Sequence, residues 1–110
     1  MLVVTRYTVP EDAGGFEDRL RNAVAALAAR PGYLSSRWGR AVDDPAEWVL
    51  VTEWENVGSY RRALSAFDVK LSAVPVLSLA HDEPSAFELL GADGEGARSA
   101  SGASDRSPEA

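Results

Sequence analysis

The sequence predicts an α+β fold with elements in the order β-α-β-β-α-β, and three observations carry that expectation. Short runs rich in Val, Thr, Tyr and Trp occur at Leu2 to Val9, Tyr33 to Val42 and Trp48 to Trp54, as half-buried strands require. Between and after them, apolar residues recur at helical spacing: Phe16, Leu20, Val24 and Leu27, then Tyr60, Ala63, Leu64, Phe67 and Leu71. Pro10, Pro31-Gly32 and Asp43-Asp44-Pro45 punctuate the elements at the places where strands and helices must stop. This order is the split-βαβ, or ferredoxin-like, arrangement: an antiparallel sheet with its helices on one face.

In chain order, the first strand runs from Leu2 to Val9 and stops at Pro10. Asp12 is the expected cap of the first helix, because its carboxylate can accept from the free N–H groups of the first turn. Glu17 and Arg21 stand four apart on the wet side, in the favourable order for an ion pair. Pro31-Gly32 ends this helix, the glycine suiting a left-handed cap. The second strand, Tyr33 to Val42, turns at Asp43-Asp44-Pro45 into the third, so the two form an antiparallel hairpin. A kink or second short helix is expected from Pro75 to Leu79, and a short last strand from Pro84 to Leu90.

The third strand is the centre of the design. Period 2 places Trp48, Leu50, Thr52 and Trp54 on one face and Val49, Val51 and Glu53 on the other. Both faces are largely apolar, so the strand should be covered on two sides. Asn56 is the expected N-cap of a helix starting at Val57, which hangs Tyr60 from the inward side of its first turn. Trp54 and Tyr60 then point into one gap between the layers. Helices cover one sheet face only; Val3, Val49 and Val51 are expected on the other. A second copy packed sheet against sheet would cover them.

Composition removes several function classes. The 110 residues suit one small domain, residues 1–90, and the formal charge of −6 disfavours binding to nucleic-acid phosphates or an anionic membrane. There is no cysteine, hence no disulfide, thiolate nucleophile or Cys-based zinc site. No apolar run reaches the roughly 20 residues that span a bilayer, and the N-terminus has no signal-peptide pattern, so a soluble cytoplasmic protein is expected. Residues 91–110 hold no large apolar side chain and should form an unstructured tail.

Pro31-Gly32-Tyr33-Leu34, Asp43-Asp44-Pro45, Glu53-Trp54-Glu55 and Tyr60-Arg61 together resemble the antibiotic biosynthesis monooxygenase family across residues 1–90. The resemblance implies a dimeric α+β barrel. In members that act on aromatic polyketides, it further implies oxidation of phenolic rings by O2 with no metal, flavin or haem cofactor. In those enzymes the Trp of the Trp-Glu motif and a Tyr six residues later line the pocket; Trp54 and Tyr60 match that pair. They carry an Asn four residues before the Trp, where this chain has Leu50, and a basic residue on the second helical segment that corresponds to Lys70. Haem-degrading relatives need a Trp and a ligating His where this chain has Ala63 and Ala73, so haem degradation is excluded. Many other relatives carry His at the place of Ala63, and its absence removes a general base from that helix.

The expected activity is therefore a cofactor-independent monooxygenase acting on an electron-rich, polyketide-like phenol and O2, in a homodimer. Trp54 and Tyr60 are the catalytic candidates; Leu50, Thr52 and Leu64 line the substrate pocket, and Arg62 and Lys70 favour the substrate anion. Each has a plainer reading beside it. Trp54 can be core packing, the Tyr60 hydroxyl can bond a backbone carbonyl, and Arg62 and Lys70 can be solvated surface. His81, the one histidine, belongs to a loop and to the surface rather than to a metal site. Tyr7 and Trp38 read as core or dimer contacts. The alternative function is a binding or accessory protein on the same barrel, motivated by Leu50 and Ala63.

Overall fold

The β-branched and aromatic runs form β1 (Leu2–Thr8), β2 (Tyr33–Arg40) and β3 (Glu47–Trp54). The computed structural model describes residues 1–11 and 14–94 and joins these strands with β4 (Ala86–Phe87) into one sheet of order β2-β3-β1-β4. Every neighbouring pair is antiparallel, which is the ferredoxin-like order. The hairpin turn closes through Asp44, whose carbonyl accepts from the Glu47 N–H at 2.9 Å and whose side chain accepts from the Ala46 N–H at 3.3 Å. β2 ends at Arg40, two residues short of the expected Val42, which is fully exposed.

Register decides which side chains are covered. Val3 pairs with Thr52, Thr5 with Leu50 and Tyr7 with Trp48, so directly opposed residues share the face beneath the helices. Val3 is 3% exposed there, which corrects its expected place on the uncovered face. Leu2 and Val4 lie on that face instead, with Val49 and Val51.

The first helix, α1 (Phe16–Ala28), buries Phe16, Leu20, Ala23 and Leu27. Ala23 lies between Leu20 and Leu27 at three- and four-residue spacing, and the bulkier Val24 is displaced to the half-buried flank. Glu17 and Arg21 pair at 3.2 Å as expected. The residue before the helix is Gly15 at φ 86°, with no side-chain cap; the expected cap Asp12 lies outside the described residues. At the other end Ala29 is the cap, in right-handed geometry. Gly32 takes φ 89° one turn later, in a tight turn where Tyr33 N–H donates to Arg30 O at 3.3 Å.

The one helix expected from Val57 through Leu71 is two, α2 (Val57–Leu64) and α3 (Phe67–Ser72), and the second short helix expected near Pro75 is α4 (Val74–Leu77), with Pro75 in its first turn. Ala66 is extended (φ −71°, ψ 143°), and this break rotates the following helix. Phe67 and Leu71, expected inward, are 75% and 65% exposed, while Val69, Ala73 and Val76 fill the core. The last strand is also shorter than expected: Ala86 and Phe87, paired with Val3 and Leu2, instead of the Pro84 to Leu90 run. The segment before it is fastened to β1 by the Arg6 guanidinium, which donates to both Glu83 oxygens at 2.8 and 3.0 Å. Residues 91–94 form neither helix nor strand, and 95–110, the rest of the expected tail, lie outside the described residues.

Candidate functional site

Three local devices bring Trp54 and Tyr60 together. The β1–β3 ladder continues past its last strand residue, with Trp54 N–H donating to Met1 O at 2.9 Å and the Met1 amino group donating to Trp54 O at 2.8 Å. Glu55 N–H then donates to Gly32 O at 2.8 Å, which turns the chain off the sheet. Asn56 accepts from Ser59 N–H at 2.8 Å, capping α2 as expected and fixing Tyr60 in its first turn.

The result is a buried aromatic cluster. The Trp54 indole is 0% exposed and lies between Tyr60 (5.4 Å between ring centres, 55°) and Tyr33 (5.5 Å, 85°). Its one polar group is taken: Nε1–H donates to Thr52 Oγ1 at 2.9 Å. Tyr60 differs. Its ring is half-buried, and its hydroxyl has no hydrogen-bond partner among the described residues. Nor is it among the enclosed, unpartnered side-chain atoms of the described residues, which are Arg30 Nε and Glu53 Oε2, so it keeps some contact with solvent. Burial pushes its pKa up, with a smaller push from Tyr7, which keeps the phenol a donor at neutral pH.

A second hydroxyl pair lies on the same face and was not singled out from the sequence as part of a site. Thr5 Oγ1 and Tyr7 Oη are 2.9 Å apart and both residues are buried. Burial raises the Tyr7 pKa, and the Thr5 hydrogen bond opposes that shift. Thr5 lies opposite Leu50, so the apolar residue on β3 faces a hydroxyl on β1. The signal was present in the alternation Val3, Thr5, Tyr7, Val9, which places two hydroxyls on a buried stripe.

Of the other candidates, Leu50 and Thr52 are buried in the same layer, and Leu64 is partly buried against the core. Arg62 and Lys70 are exposed; Arg62 turns back along α2 to donate to Ser59 Oγ at 3.4 Å. The structure thus brings together Leu50, Thr52, Trp54 and Tyr60 and leaves the two cations outside. His81 is half-exposed, 2.9 Å from Thr8 Oγ1 and 3.7 Å from Glu47 Oε1. Thr8 and Glu47 face each other across the strands on the uncovered face, at the opposite end from Trp54.

An open cleft of about 640 Å3 also lies away from Trp54, at the hairpin end of the helix-covered face. Val9, Phe16, Arg40, Pro45 and Trp48 line it. Phe16 connects it to the interior, 5.3 Å from Trp48 and 5.5 Å from Tyr7.

Comparison with known proteins fits this layout. Residues 1–70 match the model of the antibiotic biosynthesis monooxygenase family. Among solved structures, the chain is similar to SnoaB, a cofactor-independent oxygenase from Streptomyces nogalater, at 25% identity and a TM-score of 0.65, over 81% of this chain and 94% of that one. An asparagine-to-alanine variant of SnoaB matches at 25% identity and a TM-score of 0.64, over 73% and 82%. A conserved protein from Methanosarcina mazei Go1 shares the fold at 19% identity and a TM-score of 0.62, over 77% and 84%. No curated protein matches the sequence. With the family model spanning more than half of its length, the chain belongs to the antibiotic biosynthesis monooxygenase family.

Proposed function

We propose that the protein is a cofactor-independent monooxygenase that oxidises an electron-rich aromatic, a polyketide-like phenol, with O2. The observation that supports this most directly is the Tyr60 phenol, held against buried Trp54 with no partner for its hydroxyl among the described residues. The likeness to SnoaB points the same way. In this reading the substrate supplies the electrons. A ring carbon bearing two hydrogens loses one as a proton, and the resulting phenolate or enolate reduces O2 and combines with it to a hydroperoxide. Loss of the second hydrogen with cleavage of the O–O bond leaves a carbonyl and releases water. Tyr60 donates to the substrate oxygen and so stabilises the anion, a term that grows in a water-poor site. Trp54 fixes the Tyr60 ring, since its own N–H is committed to Thr52. Leu50, Thr52 and Leu64 form the surrounding wall; Arg62 and Lys70 act only through long-range attraction from exposed positions.

The same reading includes a homodimer. Leu2, Val4, Val49 and Val51 are apolar where a sheet facing water would alternate with polar residues, and the helices cover only the other side. Glu53 Oε2 is enclosed there without a partner, while Arg37 on the adjacent strand is exposed.

One observation favours a second reading, a binding protein without turnover: Trp54 is wholly buried and packed directly against its two tyrosines. Oxygen uptake separates the two. Chelator-treated protein with an anthrone should consume O2 and form the quinone, and Tyr60→Phe should lower the rate about a hundredfold, the usual effect of losing one donor to a developing anion. Saturable anthrone binding with O2 uptake no faster than buffer would establish the binding protein instead.

A further inference from the structure

The cleft at the hairpin end plays no part in the reading above, yet it has the dimensions and chemistry of a binding site. Its volume of about 640 Å3 falls within the roughly 300–1,000 Å3 typical of small organic ligands. The floor is aromatic, Phe16 meeting Trp48 nearly edge-on at 82°. Pro10, Pro45 and Val9 extend it as apolar wall. Among the described residues the one cation in the lining is Arg40, its guanidinium carbon 5.6 Å from the Trp48 ring centre.

The polar capacity left unused over that floor belongs to a donor. Arg40 presents five N–H groups, and none meets an acceptor among the described residues. Two of the three acids in the lining hold their hydrogen bonds elsewhere, although the Arg40 charge also helps to lower the Glu17 pKa. Glu17 accepts from Trp38 Nε1 at 3.0 Å and from Arg21 at 3.2 Å, and Asp44 accepts from the Ala46 N–H at 3.3 Å in its own turn. The third, Glu11, is exposed at the rim. One cation against three carboxylates repels a phosphate or any multiply charged anion. Ring burial must then carry the affinity, with a single acceptor group to orient it.

We infer that this cleft binds a planar aromatic molecule, neutral or singly anionic, whose rings lie on Trp48 and Phe16 and whose carbonyl, phenolate or carboxylate oxygen takes the Arg40 guanidinium. Phe16, packed 5.5 Å from Tyr7, is then the partition between this ligand and the buried face. Binding at the cleft does not depend on the proposed oxidation.

Anthraquinone-2-carboxylate is a suitable probe, being planar, singly charged and already oxidised, so its binding is read without turnover. The three indole N–H signals of Trp38, Trp48 and Trp54, assigned by single Trp→Phe variants in nitrogen-15 spectra, report where it sits. The Trp48 signal should shift saturably and further than that of Trp54. Arg40→Met, which keeps the aliphatic stem and the amide pattern of the wild type, should weaken binding about tenfold, the effect of losing a charge-assisted hydrogen bond. A larger shift at Trp54 than at Trp48, an unchanged Kd in Arg40→Met, or no saturable shift at Trp48 would each overturn the inference. A protein that binds the probe at Trp48 but fails to oxidise anthrones would keep the cleft and lose the monooxygenase.

Discussion

Trp54 and Tyr60 touch, yet their removal should have opposite consequences. The Tyr60 hydroxyl has no partner among the described residues, so Tyr60→Phe should change stability by less than about 0.5 kcal/mol while removing the donor on which the chemistry depends. Trp54→Phe leaves a void in a fully buried site and strips the Thr52 hydroxyl of its donor, which should cost about 2–4 kcal/mol. Urea unfolding of the two variants beside their oxygen uptake checks both. A second prediction follows from burial of Tyr60 and Tyr7, which raises each pKa above the ordinary 10.0. A raised tyrosine holds its proton longer in the fold than in the unfolded chain. Its contribution to stability is complete below pH 10 and is lost as pH rises through the raised folded value. Tyr60→Phe and Tyr7→Phe should therefore each flatten the alkaline limb of stability, with no change at neutral pH from this source. The Trp54–Tyr60 contact was legible because a strand end and an N-cap fix it within seven residues. The Thr5–Tyr7 pair was less so: strand alternation gives the face, but only the register across β3 shows which face the helices cover.

At the scale of elements, the turn before β2 and the start of α2 are locked to each other. Gly32 has φ 89°, and a Cβ placed there would run into the Ser59 side chain, itself held by Asn56. Gly32→Ala should destabilise by the left-handed backbone cost of about 1–2 kcal/mol plus the clash. Ser59→Gly in the same chain should recover the clash and not the backbone cost, so a double-mutant cycle by urea unfolding should show favourable coupling between the two. Additive effects would mean that the turn and the helix move apart freely, and that Tyr60 is positioned by something else. Pro31-Gly32 and Asn56 could be read from the sequence because each has a single strong backbone preference. The break at Ala66 could not, since neither glycine nor proline marks it. Two apolar spacings compete there, Phe67 and Leu71 continuing α2, and Val69, Ala73 and Val76 starting afresh. Packing favoured the second because its smaller side chains fit beneath α1 and the sheet, and the larger pair was left in solvent.

For the whole molecule the open question of the sheet is its second face. An antiparallel sheet exposed to water on one side alternates apolar with polar residues. Here β1 and β3 instead put Leu2, Val4, Val49 and Val51 on the uncovered side, opposite the face that holds Thr5, Tyr7, Thr52 and Trp54. The sequence showed that both faces are apolar and needed only the register to say which Val belongs to which. A two-fold partner laid across this face would bury those four side chains and bring a donor to the enclosed Glu53 Oε2; Arg37 is an exposed cation on the same face, beside Arg6, which is held by Glu83. Sedimentation at micromolar concentration should then give a species near twice the 11.7 kDa chain. Val51→Lys places a charge at the middle of that face without touching the helix side and should give a folded monomer with an unchanged Trp54 environment. Glu53→Gln should weaken the dimer less than Val51→Lys, because it removes one ionic contact and leaves the apolar area intact. A wild-type protein that sediments as a monomer would leave these four half-buried aliphatic side chains without a covering layer, and the sheet would need a different partner.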